Sequence, residues 1–355
     1  MVYPRANQQN EEREIFTVLD FPKQFYPLSE VSPLNIFKRF LAVSAICLTL
    51  VGCGDSESDN PFQAIGDSVT RVSHEAWNTY NLYRYDTGGV WNPVVSRGDI
   101  VADLPAIGDR PVIILHGLGS EIRSGRFNAL ADSLRSSGAT SVFGFEYDSL
   151  EGIVENAGFF VDAMTVLTDA APNTQWTVVG HSMGSLVARQ ALENGIPFDV
   201  AAGSRAVFVA GPHLGSPVAN ALQEDDPDVV QSLLADAVLY AELEFRNLDT
   251  SRVNVDGDEQ GFDDLRTDSP VLAELNANIA DHPQFEYRTI AGNFKDGNYA
   301  AINDRLGVDT DDGLVNVESA NALIGQVDTA VLNFDHSTLV EANEALVQIA
   351  LFAGF

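Results

Sequence analysis

Short, wholly apolar runs alternate along this chain with longer segments whose apolar residues recur at helical spacing. Pro111-Val112-Ile113-Ile114-Leu115 is the first clear run, and it ends in His116-Gly117-Leu118-Gly119. An uninterrupted run of this kind marks a strand buried on both faces of a parallel sheet. Residues 127–136 then show helical spacing, 141–147 predict the next strand, and 159–170 predict a helix with Pro172 as its stop signal. Residues 175–179 predict a strand, 185–193 a helix and 205–211 another strand. After an interruption the rhythm returns with strands at 287–292 and 329–334 and a closing helix at 339–352. Strand and helix alternating at this interval predict an α/β fold with a doubly wound, mostly parallel sheet and helices on both faces. Upstream, Trp77, Tyr80, Tyr83, Tyr85 and Trp91 lie among Gly and Asn turns, so residues 67–100 read as a short helix followed by opening antiparallel strands.

The interruption covers residues 219–285. Residues 229–243 are rich in leucine and alanine and predict a helix, 254–264 a Gly/Asp-rich loop, and 269–279 another helix. An insertion of this size after a core strand either forms a lid over a site or only lengthens the edge of the fold.

The N-terminus has a different pattern. Lys38-Arg39 precedes an apolar stretch from Phe40 to Gly52, which is the length of a signal h-region and too short to span a membrane. It ends in Leu50-Val51-Gly52-Cys53, followed by a polar run. This order resembles the lipobox of bacterial lipoproteins, whose cysteine is lipidated and becomes the mature N-terminus. Residues 1–53 are therefore expected to be a leader, with the signal peptide at about 34–52, residues 54–66 a tether, and 67–355 one catalytic-sized domain. Gly54 after the cysteine resembles lipoproteins sent to the outer membrane, so the expected location is the cell envelope, with Cys53 holding the protein at the membrane. With Cys47 removed and Cys53 acylated, no thiol remains to form a disulfide.

Charge narrows the function. The chain carries 20 basic and 51 acidic residues, a formal net of −31. The first 53 residues hold five of each, leaving 15 basic and 46 acidic residues, with Lys295 the only lysine among them. So acidic a surface excludes nucleic acid as a partner and fits a protein working in salty water.

The candidate chemistry starts at Gly180-His181-Ser182-Met183-Gly184. It reads G-x-S-x-G between a predicted strand and a predicted helix, the context in which a serine is held in a strained, exposed turn. Serine needs a base within hydrogen-bond reach and a carboxylate to orient that base. Of the six histidines only His213, His282 and His336 follow Ser182. His336 sits directly after the last strand and before the last helix, His213 precedes every plausible acid, and His282 lies among polar helix-end residues. Asp309-Thr310-Asp311-Asp312-Gly313 offers carboxylates in a turn after the 287–292 strand, with Asp312 favoured because Gly313 supports the turn, and Asp311 as the alternative. Backbone donors for an oxyanion are expected from the Met183 amide, next to the serine, and from the Leu118 amide in the loop after the first parallel strand. His116 is expected to position that loop and His181 to pack beside the elbow. Asp256 to Thr267 partly imitates a calcium loop but lacks the closing glutamate, its twelfth position being Thr267. No other cofactor is indicated.

Four separated segments carry a resemblance. They are His116-Gly117-Leu118-Gly119, Gly180-His181-Ser182-Met183-Gly184, Pro212-His213-Leu214-Gly215-Ser216-Pro217, and Asp312-Gly313-Leu314-Val315 with His336 downstream. Together they resemble the α/β-hydrolase superfamily, and within it bacterial lipases and the PGAP1-like (GPI-inositol-deacylase-like) branch, over residues 105–352. The resemblance implies an α/β-hydrolase fold and a lipase or esterase acting on carboxylic esters of lipid-like acyl chains. Position by position, it makes Ser182 the nucleophile, Asp312 the acid and His336 the base. Ser185 departs from the glycine often found after this elbow. An acyltransferase using the same triad, or an envelope protein that only binds acyl chains, are the other functions the sequence admits.

Overall fold

Nine strands build a single sheet among the described residues of the computed structural model, which are 80–102, 104, 106–195, 198–223, 260–277, 284–294 and 312–355. The chain divides into two units, Met1–Pro61 and Phe62–Phe355, and every described residue belongs to the second. The signal segment, the Cys53 lipobox, the tether, the expected 229–243 helix, His282 and Asp311 lie outside the described residues.

The strands are β1 (Asn81–Tyr85), β2 (Trp91–Ser96), β3 (Asp99–Ile100), β4 (Pro111–Leu115), β5 (Ser141–Glu146), β6 (Thr177–His181), β7 (Ser204–Val209), β8 (Phe285–Gly292) and β9 (Asp328–Leu332). Their spatial order is β3-β2-β1-β5-β4-β6-β7-β8-β9. β1, β2 and β3 are antiparallel, as is the β1–β5 pair, and every pairing from β5 through β9 is parallel. The antiparallel opening and the parallel body both match the pattern in the sequence. β4 lies near the middle, between β5 and β6, and all five of its residues are buried, as its uninterrupted apolar run requires.

Alternate side chains of the strands feed two cores. Ile113 and Leu115 of β4, with Phe143, Phe145, Val178 and Phe208, pack against α2 (Ile153–Ala170) and α3 (Met183–Asn194). Val112 and Ile114 point the other way, with Val142, Val179, Val207 and Ile290, and meet α1 (Asn128–Ser137) and a C-terminal helix, Asn343–Ala353. The sheet is thus covered on both faces, which places the working surface at the carboxyl ends of its parallel strands.

Three elements differ from the sequence expectation. The helix expected at 159–170 begins six residues earlier, at Ile153. Glu155, Asn156 and Gly158 hide its first turn, and its N-cap residue, Gly152, has no side chain to close it. The cap comes from far away: the Ile153 amide donates to Asp264 Oδ2 at 2.7 Å, while Asp264 Oδ1 accepts from Gln260 at 2.7 Å. A carboxylate there satisfies an orphan amide and sits at the positive end of the helix dipole. Asp264→Ala is therefore expected to cost about 1–2 kcal/mol, the usual value of a lost N-cap, read as a lower midpoint in urea unfolding.

Asp264 ends the second departure. Part of the expected Gly/Asp-rich loop is a short helix, α5 (Gln260–Asp264). With α4 (Pro217–Gln223) and α6 (Pro270–Ala277) it forms the described part of the insertion. The two ends of the insertion are stitched together: Asn220 Nδ2 donates to Thr267 Oγ1 at 2.7 Å, and Asn220 Oδ1 accepts from the Thr267 amide at 2.9 Å. The Ser216 amide donates to the Leu265 carbonyl at 2.8 Å. Third, the closing helix is broken. A 3₁₀ turn at Thr338–Val340 precedes α8 (Asn343–Ala353), with α7 (Val317–Ala320) upstream. Asp335 explains the turn: its Oδ1 accepts from the Ser337 and Thr338 amides at 3.0 and 2.9 Å, closing a tight corner just after His336.

No described helix is long and apolar enough to cross a membrane.

Candidate active site

Ser182 stands between β6 and α3 with φ 54° and ψ −129°. A non-glycine residue in that region is strained by about 1–3 kcal/mol, and surrounding structure must hold it there. Two anchors are its own amide, which donates to the Val209 carbonyl at 2.9 Å, and its carbonyl, which accepts from Ser185 N at 2.9 Å. The flanking glycines explain the motif. A Cβ on Gly180 would lie 2.6 Å from Ser185 Cα, and one on Gly184 would lie 2.3 Å from the His116 carbonyl oxygen. Both contacts are with backbone, so no side chain fits at either position and the turn can be this tight. Ser185, which stands where a further glycine is common, is fully buried and donates to the Gly180 carbonyl at 2.8 Å. That bond ties the start of α3 back to the end of β6.

The other two candidates meet directly. Asp312 follows β8 and His336 follows β9, and His336 Nδ1 lies 2.8 Å from Asp312 Oδ2. Both are buried, at 0% and 2% relative exposure, so water competes little for this bond. The carboxylate is itself oriented. Asp312 Oδ1 accepts from the Leu314 and Val315 amides at 3.0 and 2.8 Å, while the His336 amide donates to the Asp312 carbonyl at 2.9 Å. An ionised carboxylate accepts only, so His336 Nδ1 carries the proton and Nε2 is the basic nitrogen. Gly292, at the end of β8, lets the two loops close, because a Cβ there would lie 2.5 Å from the Phe334 carbonyl and 2.6 Å from Asp312 Cβ. Of the two candidate acids, Asp312 meets His336, and Asp311 lies outside the described residues.

His181 ties the histidine loop to the elbow. Its Nε2 lies 3.0 Å from the His336 carbonyl, and the two rings are 4.8 Å apart. Burial, followed by the neighbouring His336, holds its pKa well below the ordinary imidazole value, so it is neutral and donates from Nε2. Arg126 reinforces the same loop from the other side, its NH1 donating to Ser337 Oγ at 3.2 Å and its Nε lying 3.5 Å from Glu341.

The loop after β4 abuts the serine. A Cβ on Gly117 would lie 2.7 Å from Ser182 Cβ and 3.2 Å from its Oγ. Within that loop the Gly119 amide donates to Ser149 Oγ at 2.8 Å and the Ser120 amide to the Gly117 carbonyl at 3.3 Å. The amides of Leu118 and Met183 donate to no acceptor among the described residues. His116 locks the loop: Nδ1 donates to the Gly117 carbonyl at 2.8 Å, Nε2 accepts from the Tyr147 amide at 3.3 Å, and the Tyr147 ring stacks on it at 4.3 Å. Burial lowers its pKa, and both nitrogens are occupied, so it positions the loop as expected and has no nitrogen left for a proton transfer. Tyr147, Arg126 and Ser149 carry no motif; only their partners in space give them a role.

His213 lies elsewhere. It is fully buried under α3, edge-on to Phe208 at 5.5 Å, and neither ring nitrogen has a partner. Its carbonyl accepts from Asn276, which with Glu193 also holds the buried Arg189. Burial, then the Arg189 charge, pushes its pKa down to about 3. A histidine depressed below its unfolded value contributes stability above that value and loses it as pH falls toward the folded one. At pH 5 the loss is about 2 kcal/mol, from the unfolded pKa of about 6.5. His213→Leu is expected to erase that share of acid sensitivity, read as the difference in unfolding midpoint between pH 7 and pH 5 against the parent protein.

Among the described residues no group of three His, Cys, Asp or Glu side chains converges as a metal site. Residues 256–259 of the calcium-like loop lie outside the described residues, and Asp264 within it is engaged in capping α2.

No family model and no curated protein matches the sequence. Among solved structures, the mature form of the Bacillus licheniformis lipase BlEst2 is similar with a TM-score of 0.54 and 16% identity, over 76% of this chain and 97% of that one. Its propeptide form gives a TM-score of 0.53 and 14% identity, over 77% and 53% of the two chains. The chain therefore has the α/β-hydrolase fold.

Proposed function

We propose that the protein is a serine carboxylic-ester hydrolase in which Ser182 is the nucleophile, His336 the general base and Asp312 its orienting acid. The observation that carries this is the buried 2.8 Å contact between His336 Nδ1 and Asp312 Oδ2 at the same sheet edge as a serine held at positive φ. Ser182 Oγ attacks the ester carbonyl carbon while His336 Nε2 takes its proton. The carbonyl oxygen becomes an oxyanion, received by the Leu118 and Met183 amides, which have no other acceptor among the described residues. Collapse of the tetrahedral intermediate breaks the bond to the alcohol oxygen, and His336 returns the proton to it. Water then repeats the sequence on the acyl-enzyme and releases the carboxylic acid.

Lipid-like acyl esters are the substrates this reading favours. BlEst2 is a lipase, and the segment Leu50-Val51-Gly52-Cys53 supports a lipid-anchored protein of the bacterial outer membrane, at a surface where acyl esters are concentrated. The resemblance of the four motif segments to bacterial lipases and the PGAP1-like branch supports the same reading. A fluorophosphonate probe tests the catalytic reading, with the modified peptide identified by mass spectrometry. A label on Ser182, with hydrolysis of p-nitrophenyl esters from short to long chain, is the expected result. Absence of label from Ser182 overturns it. Labelling with acyl transfer to an added alcohol in place of hydrolysis assigns the same triad to an acyltransferase.

A further inference from the structure

The amino ends of the parallel strands, opposite the Ser182 edge, carry a cavity of about 380 Å³. It is lined by Arg84 at the end of β1, Arg135 near the end of α1, Asp86, Asn92, Thr140 and Ser141, the first residue of β5. Two guanidiniums opening into one cavity are unexpected in a chain of net charge −31, whose residues beyond 53 hold only 15 basic side chains. The two charges feel each other: burial first, and Arg135 second, lower the pKa of Arg84.

Neither arginine is closely ion-paired. Among the described residues, neither has a carboxylate within ion-pair distance. Each is held instead by neutral oxygens. Arg84 NH2 donates to Ser141 Oγ at 3.1 Å and to the Ala106 carbonyl at 3.4 Å, and Arg135 NH1 donates to the Asp86 carbonyl. The nearby carboxylates are hydrogen-bonded to other groups, although Asp86 also feels the Arg135 charge across the cavity. Asp86 accepts from the Gly88 and Val90 amides at 2.7 and 3.0 Å and from Asn92 at 2.9 Å, closing its own turn. Asp132 faces the Tyr85 hydroxyl and, after burial, raises its pKa. A guanidinium has five N–H donors, so both arginines keep most of theirs after these bonds, in planar forks that match an oxyanion.

We propose that the Arg84–Arg135 cavity is a binding site for a phosphate-type oxyanion. Two guanidiniums that share a cavity with one lining carboxylate, Asp86, leave a local excess of positive charge that an anion between them relieves, and each fork can offer paired N–H donors to a tetrahedral group. The protein's overall field repels an extended polyanion but leaves a small one, gripped at short range, only weakly opposed at physiological salt. The site lies at the far end of the sheet from Ser182 and does not depend on the hydrolase reading.

The test is calorimetric titration of the full chain with inorganic phosphate, against chloride at matched ionic strength. Saturable uptake of phosphate is expected, with Arg84→Gln and Arg135→Gln each weakening it by about tenfold or more, as loss of a charge-assisted pair implies. Arg135 lies on a helix and is partly exposed, so its substitution keeps the test informative if Arg84→Gln perturbs folding. Ser182→Ala should bind phosphate like the parent, which separates this outcome from any failure of the catalytic reading. Flotation with phosphatidylcholine vesicles, with and without phosphatidic acid, locates the source. Headgroup-dependent flotation that is lost in the Arg84→Gln/Arg135→Gln double variant assigns a lipid phosphate, and uptake of inorganic phosphate alone assigns a free one. The absence of both phosphate uptake and variant-sensitive flotation overturns the proposal, as does phosphate uptake that the double variant leaves unchanged.

Discussion

Replacing Ser182 with alanine is expected to lower turnover of a short-chain p-nitrophenyl ester by about 10⁵-fold or more, the scale on which serine nucleophiles act. The fold should survive the change. Ser182 Oγ makes no hydrogen bond among the described residues, and the elbow is fixed by its backbone bonds to Val209 and Ser185 and by the close approaches at Gly180 and Gly184. Alanine at φ 54° carries the same backbone strain as serine, so the unfolding midpoint should move little. The residual rate of the variant measures what the Leu118 and Met183 amides and substrate binding supply without the nucleophile. Activity within tenfold of the parent would remove Ser182 from the mechanism.

Asp312→Asn should cost about 10⁴-fold in turnover, through the tautomer of its partner. The amide oxygen of asparagine can keep both backbone bonds, from Leu314 and Val315, that Asp312 Oδ1 now accepts. The side-chain NH₂ then occupies the place of Oδ2, 2.8 Å from His336 Nδ1. Two donors cannot face each other, so His336 moves its proton to Nε2, the nitrogen that must be unprotonated to accept from serine. Geometry is kept and function is lost. The checks are kcat, the unfolding midpoint and fluorophosphonate labelling, with slow labelling at an unchanged midpoint as the expected pattern. A loss below tenfold would sink the orienting role of Asp312.

Where each structural feature was visible in the sequence follows from its range of interaction. β4 appears at its observed bounds because a strand buried on both faces writes burial into every residue. The elbow was legible because its constraints are local, with Gly180, Ser182 and Gly184 inside five residues. Chain order and turn chemistry singled out Asp312 and His336, the proposed acid and base, which meet although 24 residues apart. The early start of α2 was not readable. Its cap, Asp264, lies 111 residues downstream, and a glycine at the N-cap carries no signal. Arg126, Ser149 and Tyr147 were silent for the same reason: each acts on a loop that only the folded sheet brings beside it. The break before α8 could have been foreseen, since Asp335-His336-Ser337-Thr338 is a side-chain-capped corner, but the apolar spacing beyond it reads as one continuous helix.

β9 is the outermost strand on its side, bonded only to β8 within the sheet, and most of its side chains face water. The proposed base therefore follows an edge strand, which should open before the central ones. Edge strands with few buried contacts exchange and fray at lower free energy than central ones. His336 is tied to its neighbours by two hydrogen bonds to Asp312 and one to His181, so release of β9 would dismantle the proposed catalytic arrangement while β4, β6 and their helices stay packed. Enzymatic activity becomes a local thermometer of that edge, lost at lower denaturant than the tryptophan signal of the buried Trp176 in the central core.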